Sequence, residues 1–384
     1  MEFQYVSDTK WDETHVSTIH IDEICTNLVR LGHRVTLYIP STNKAIGEKE
    51  YAIVYVPASQ FITSLIFQAG LFFRLLADVR KNTGGVLYVR SSSLLFIPSL
   101  VARLRKVPLF LEVNGKLSEE VSYEGTLLSK ILFYTGIFKA IERFNLRSAS
   151  GLIAVKEGIR DYLVKFGVDA EKIRIILNGV DVSLFKPGSR LEVRKKTSLD
   201  PAALYVGYIG SFYEWQGLRY IADAAKIVCG LDTRAKFLFL GSGADAEYLK
   251  TFVSKHSLEG RIEIRPAVPH AQIPEYISSL DICISYPNIS RGSGTSPFKM
   301  YEYLASGRCV VSADILGMRE EFGDTVVYAP PESPEELAKV LLALLNDPEK
   351  RASLGEQGRL WVEKGHSWEA VAKEVAAFCQ EFAG

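Results

Sequence analysis

Short apolar runs alternate with stretches of helical periodicity along the whole chain. In the first half the runs Phe3 to Ser7, Arg34 to Ile39, Ala52 to Val56, Val86 to Arg90, Leu109 to Val113, Gly151 to Val155 and Ile173 to Ile176 read as strands. The amphipathic stretches Ser17 to Leu31, Phe61 to Arg80, Leu94 to Leu104, Leu127 to Ser148 and Glu157 to Phe166 read as the helices between them. A charged stretch holding Pro187 and Gly188, Leu184 to Leu199, reads as a linker. The alternation restarts at Leu204 to Ile209. It continues through strands near Ala235 to Leu240, Ile262 to Arg265, Ile282 to Ser285, Cys309 to Ser312 and Val326 to Ala329. Helices are expected at Gly217 to Gly230, Ala244 to Lys255, Ile273 to Ser279, Lys299 to Ala305, Met318 to Glu321 and Pro334 to Asn346, then Pro348 to Lys364 and Trp368 to Phe382. This order predicts an α/β protein whose parallel sheets carry helices on both faces.

Size turns that pattern into two domains. With 384 residues and 47% apolar content the chain fills two ordinary cores, since single cores seldom grow beyond about 250 to 300 residues. Two Rossmann-like, doubly wound domains facing a cleft would place a ligand at the carboxyl ends of the strands. No internal repeat, low-complexity tract or heptad pattern is present.

Charge and cysteine narrow the partners. Lys plus Arg and Asp plus Glu both number 45, which gives no reason to expect nucleic acid. Cys25, Cys229, Cys283, Cys309 and Cys379 are dispersed without zinc-ligand spacing, and are expected as reduced, buried thiols in a cytosolic protein. The opening FQYVS reads as a strand rather than a leader. The apolar stretch Gln60 to Val79 is interrupted by Gln68, Arg74 and Asp78, which argues against a membrane span. Together with the apolar, basic stretch Leu127 to Arg147 it reads either as a surface resting on an anionic membrane or as core helices whose cations face water.

The densest chemistry lies in Ser296 to Val311, SPFKMYEYLASGRCVV. A polar loop rich in Gly and Ser opens a helix carrying Lys299 and Glu302 in its first turns. Helix starts attract anions, because their first N–H groups lack partners and the backbone dipole is positive there. A phosphate would sit against the N–H groups of Thr295 to Phe298 with Lys299 as counter-charge, leaving Glu302 to accept hydrogen bonds from sugar hydroxyls.

Taken in order, four further segments join it over nearly the whole chain. They are HVSTIHIDEICTNLVRLGHRVTLY, KIRIILNGVDVSLFKP, YVGYIGSFYEWQGLRYIADA and FLFLGSGADAEYLK. With the Ser296 segment they resemble the retaining glycosyltransferases of the GT-B fold, in particular the bacterial group 1, glycogen-synthase-like family. The resemblance implies an acceptor-binding domain over residues 1–184 and a donor-binding domain over 185–367, with the last helix, 368–384, crossing back. It also implies transfer of a sugar from a nucleoside diphosphate, most simply a UDP-sugar, to a saccharide or lipid-linked hydroxyl in envelope polysaccharide or glycolipid assembly. No cofactor and no metal are expected, and the protein is expected to be cytoplasmic, peripheral at the inner membrane face. The same fold would serve a non-catalytic nucleotide-sugar-binding protein, or an epimerase or hydrolase of nucleotide sugars.

Carried over residue by residue, the likeness assigns the donor to Gly210, Ser211, Gln216, Gly243, Arg291, Gly294, Thr295, Ser296, Lys299 and Glu302. The acceptor is expected at His15, His20, Arg90 and Asn114, and catalysis at Glu302, Lys299 and Asn114. Two departures stand out. Gly294 occupies the place of the family's first donor-loop glutamate, and Ser211 and Gln216 replace its usual Arg and Lys pair. A departing diphosphate still needs positive charge as the glycosidic bond breaks. Lys299 and Arg291 are therefore expected to replace the missing cations. In the first domain Asn114, in LEVNG, stands where relatives carry a histidine, with Glu112 two residues earlier. Asn178 and Gly179 are expected to form a turn supported by Asp181, and His33 a structural helix end.

Overall fold

The computed structural model describes residues 1–12, 15–41, 46–58, 63–79, 84–92, 94–115, 136–289 and 297–382. They fall into two compact units, Met1–Leu177 with Trp368–Gly384, and Asn178–Ser367. The expected positions Arg291, Gly294, Thr295 and Ser296 lie outside the described residues, as do Lys116, Glu119 and Glu120 of the loop after Asn114 and most of the stretch from Leu127 to the helix at Ile137.

The first unit runs β1 (Glu2–Val6), α1 (Val16–Arg30), β2 (Arg34–Pro40), β3 (Ala52–Val56), α2 (Thr63–Asp78), β4 (Gly85–Arg90), α3 (Ile97–Arg105), β5 (Leu109–Val113), α4 (Ile137–Ser148), β6 (Gly151–Ala154), α5 (Glu157–Lys165) and β7 (Ile173–Ile175). All the strands are parallel, in the order β3-β2-β1-β4-β5-β6-β7. The order reverses between β1 and β4, so the loops after those strands diverge to opposite sides and leave a crevice at their carboxyl ends. Helix α1 shows how local sequence sets its limits. His15 caps its start, Nδ1 accepting the Ser17 N–H at 3.3 Å. Its end is a Schellman turn: Gly32 sits at φ +84°, and the Gly32 and His33 N–H groups bond to the Val29 and Leu28 carbonyls. His33 is tied to the amino terminus through Nδ1 at 3.2 Å, the structural role its position in LGHRV suggests.

The second unit runs α6 (Arg190–Thr197), β8 (Leu204–Ile209), α7 (Leu218–Leu231), β9 (Ala235–Leu240), α8 (Ala246–Lys255), β10 (Ile262–Arg265), α9 (Ile273–Ser279), β11 (Ile282–Ser285), α10 (Phe298–Ala305), β12 (Cys309–Ala313), α11 (Met318–Phe322), β13 (Val327–Ala329), α12 (Pro334–Leu345) and α13 (Pro348–Gly365). Its parallel sheet has the order β10-β9-β8-β11-β12-β13, reversing between β8 and β11. The last helix, α14 (Trp368–Gln380), belongs to the first unit and packs on α1.

One element corrects the sequence reading. Part of the expected linker, Arg190–Thr197, is a helix. Its apolar content is low, but Arg194 is buried, pairs with Asp281 at 2.6 Å and donates to the Ser279 and Ala203 carbonyls. A buried ion pair rather than an apolar stripe anchors this segment. The Asn178–Gly179 pair forms no assigned turn, whereas Asp181 does support its loop, accepting from the Ser183 and Leu184 N–H groups at 2.8 and 3.1 Å. All five cysteines are buried and unpaired. No described helix is long and apolar enough to cross a membrane.

Candidate functional site

In the second unit the residues of interest meet where the strand order reverses. Strand β8 ends in Ile209 and turns through Gly210, while α10 follows the loop after β11. Helix α10 starts at Phe298 behind Pro297, with no side-chain cap among the described residues. From its first turn Lys299 reaches back across the sheet. Its Nζ donates to the Tyr208 hydroxyl at 2.7 Å and to Gln216 Oε1 at 3.0 Å, and the Tyr208 hydroxyl donates on to the Ser211 carbonyl at 2.7 Å. Gly210 makes room for this arrangement. It holds φ +147°, and a Cβ there would lie 2.8 Å from Lys299 Nζ. Gly243, at φ +148°, lets the next turn press on the Phe212 carbonyl, which a Cβ would meet at 2.3 Å. Gly210, Ser211, Gln216, Gly243 and Lys299, separate in sequence, thus form one neighbourhood.

Lys299 sits on neutral ground. Burial pushes its amine down to about 7, with the negative charge of Glu302 partly opposing the shift. Its hydrogen-bond partners, a phenol and an amide, are uncharged. Glu302, one position short of a full turn further on, is mostly buried and is not free as expected. Its Oε1 lies 2.8 Å from His270 Nε2, and His270 packs on the Phe185 ring at 5.4 Å. Sequence reasoning passed over both Tyr208 and His270. Tyr208 looks like one more core aromatic in YVGYIG, and His270 stands in a loop whose side chains carried no pattern.

In the first unit Glu112 on β5 is a hub. Its Oε1 lies 2.8 Å from His20 Nε2, and accepts from Arg90 Nη1 at 2.9 Å and from Asn114 Nδ2 at 2.6 Å. Its Oε2 accepts from the Tyr88 hydroxyl at 2.7 Å. Burial alone would raise this carboxyl, yet His20, Arg90 and Tyr88 together hold it well below the usual carboxylate range. Three of the residues assigned to an acceptor, His20, Arg90 and Asn114, are therefore gathered on one carboxylate. His20 is also buried edge-on against Trp368 of α14, with ring centroids 5.1 Å apart. His15 is not among them and serves as the cap of α1. Nearby, at the reversal between β1 and β4, the Ser92 hydroxyl donates to Asp8 Oδ2 at 2.5 Å, and burial raises the Asp8 carboxyl.

Known sequence families match both parts of the chain. Residues 189–361 match the family described as glycosyl transferases group 1, and residues 17–184 match glycosyltransferase family 4. The chain belongs to the group 1 glycosyltransferases. Among curated relatives, the alpha-D-kanosaminyltransferase of Streptomyces kanamyceticus is 26% identical over 301 residues, spanning 76% of this chain and 75% of that enzyme. The D-inositol 3-phosphate glycosyltransferase of Segniliparus rotundus is 26% identical over 218 residues, 55% of this chain and 47% of the relative. Among solved structures, Anabaena Alr3699/HepE in complex with UDP-glucose superposes with a TM-score of 0.77 at 15% identity, covering 99% of this chain and all of that one. In this glycosyltransferase the Lys299 and Glu302 neighbourhood lies wholly inside the group 1 match, and the Glu112 hub inside the family 4 match.

Proposed function

We propose that the second unit binds a nucleoside-diphosphate sugar, a UDP-sugar in the simplest case, and that the sugar passes with retention of configuration to a hydroxyl of a saccharide or lipid-linked acceptor held by the first unit. The observation that carries this reading is the position of Lys299. The Arg and Lys pair expected after β8 is absent, and the Lys299 amine comes from α10 to lie beside Gly210 and Gln216, in the segment where that pair would stand. In the proposal its charge steadies the departing diphosphate, as electrostatic stabilisation of transfer requires. Glu302 accepts hydrogen bonds from the ribose through Oε2, while His270 orients it through Oε1. No metal is assigned to the diphosphate, and Arg291 is retained as a second candidate cation. The leaving phosphate takes the acceptor proton on the face from which it departs.

Four outcomes follow. Glu302→Ala lowers affinity for UDP and for uridine alike, by about tenfold, because the lost hydrogen bonds go to the part both share; titration calorimetry reads both. Transfer continues in excess EDTA, whereas loss of activity on chelation would require a metal in place of Lys299. The third concerns pH. An amine lowered to about 7 is largely neutral above that value, and a bound diphosphate favours its charged form. UDP binding therefore takes up a proton above about pH 7, and affinity falls as pH rises through that point; calorimetry in buffers of different protonation enthalpy measures the uptake. The anomeric configuration of the product by NMR tests retention.

A further inference from the structure

Helices α2, α3 and α4 lie side by side on one face of the seven-stranded sheet, α3 packing against both neighbours. Their inward residues, among them Phe67, Leu71, Val101, Ala102 and Leu146, share one core. Outward, the described residues of these helices and the Lys106 cap expose seven cations, Arg74, Arg103, Arg105, Lys106, Lys139, Arg143 and Arg147, and no fully exposed carboxylate. Asp78 is partly covered and tied to Arg74 and Tyr38, and Glu142 is buried under the Tyr162 hydroxyl. In a chain with 45 acidic and 45 basic residues, such a face is a local field and not a reflection of composition.

Apolar side chains stand among these cations. Phe73 is 72% exposed, Leu104 58%, Ile137 44% and Ile66 43%. Beside Phe73 a groove of about 310 Å³ runs between α2 and the edge strand β3, lined by Tyr55, Val56, Pro57, Gly70 and Arg74. A soluble polyanion would satisfy the cations but offer nothing to an exposed Phe, Leu and Ile. An anionic lipid surface satisfies both, since amphipathic helices seat apolar side chains at the headgroup boundary while basic residues meet lipid phosphates.

We infer that this face docks the enzyme on an anionic bilayer, with Phe73 and Leu104 entering the interface and the seven cations set against the lipid headgroups. The inference deepens the proposal of a lipid-linked acceptor, but it rests on residues remote in sequence from Lys299 and Glu302. The test is co-sedimentation of the full chain with phosphatidylcholine vesicles, with and without phosphatidylglycerol, at low and physiological salt. At about 1 kcal/mol per basic residue near the surface, binding to the anionic vesicles is expected to be at least about tenfold stronger, and to weaken with salt. Phe73→Ser and the pair Lys139→Glu and Arg143→Glu each lower it by about tenfold or more, with unchanged urea unfolding of the first unit as the check on folding. Equal binding to neutral vesicles, wild-type binding by both variants, or retention on heparin without vesicle binding overturns the inference. Failure of the donor reading shows separately, as wild-type protein that binds vesicles but not UDP.

Discussion

Lys299→Ala is expected to weaken UDP binding by about 10- to 100-fold, the worth of a charged hydrogen bond of about 1.5–3 kcal/mol, and to slow transfer further. The further slowing follows because the diphosphate carries more charge as it leaves than when it is bound. Gly210→Ala serves as a companion that leaves the lysine in the sequence. Its methyl would sit 2.8 Å from Nζ and 3.2 Å from Cε, on a backbone at φ +147° that L side chains rarely adopt. Displacing the amine in this way is expected to reproduce most of the Lys299→Ala loss. Lys299→Arg is expected to fail as well, since a planar guanidinium does not fit the space that Gly210 leaves for one amine. Equilibrium titration with UDP, followed by initial rates with a competent acceptor, measures all three.

The second large effect concerns stability. Glu112→Ala removes the carboxylate that serves Arg90, His20, Asn114 and Tyr88 at once, and leaves the mostly buried Arg90 without its counter-charge. Breaking a buried pair from one side costs about 3–5 kcal/mol, because the remaining charge stays desolvated. Unfolding of the first unit in urea is expected to shift accordingly, and Glu112→Ala combined with Arg90→Ala to recover part of the loss. The pH dependence has a definite sign. A carboxyl held low in the folded state contributes stability above its unfolded value, and this is lost as pH falls through the acid range toward the folded value. Glu112→Ala should flatten that part of the acid unfolding profile.

Much of this architecture is legible in the sequence because parallel strands buried on both faces leave continuous apolar runs, and the turns between them carry Gly and Pro. The runs at Ala52, Leu109 and Ala235 coincide with β3, β5 and β9 over their full lengths. Helix α6 was not legible, since Arg194 and Asp281 hold it from 87 positions apart. The same separation hid parts of the site. Lys299 meets Tyr208 across 91 positions, and no local pattern distinguishes a tyrosine that orients a lysine from one that fills a core. Glu112 was visible only as a neighbour of Asn114, because its other partners come from α1 and β4. What the sequence did show was a missing pair of cations after β8 and a lysine at the start of α10. The fold supplies the reason these belong together: both flank the reversal between β8 and β11.

In the proposed function Lys299 takes over the diphosphate. Its most direct test compares UDP with uridine on the wild-type protein and on Lys299→Ala. Wild type is expected to bind UDP far more tightly than uridine, and Lys299→Ala to lose most of this preference while binding uridine as before. Retention of the full preference for UDP by Lys299→Ala would contradict it.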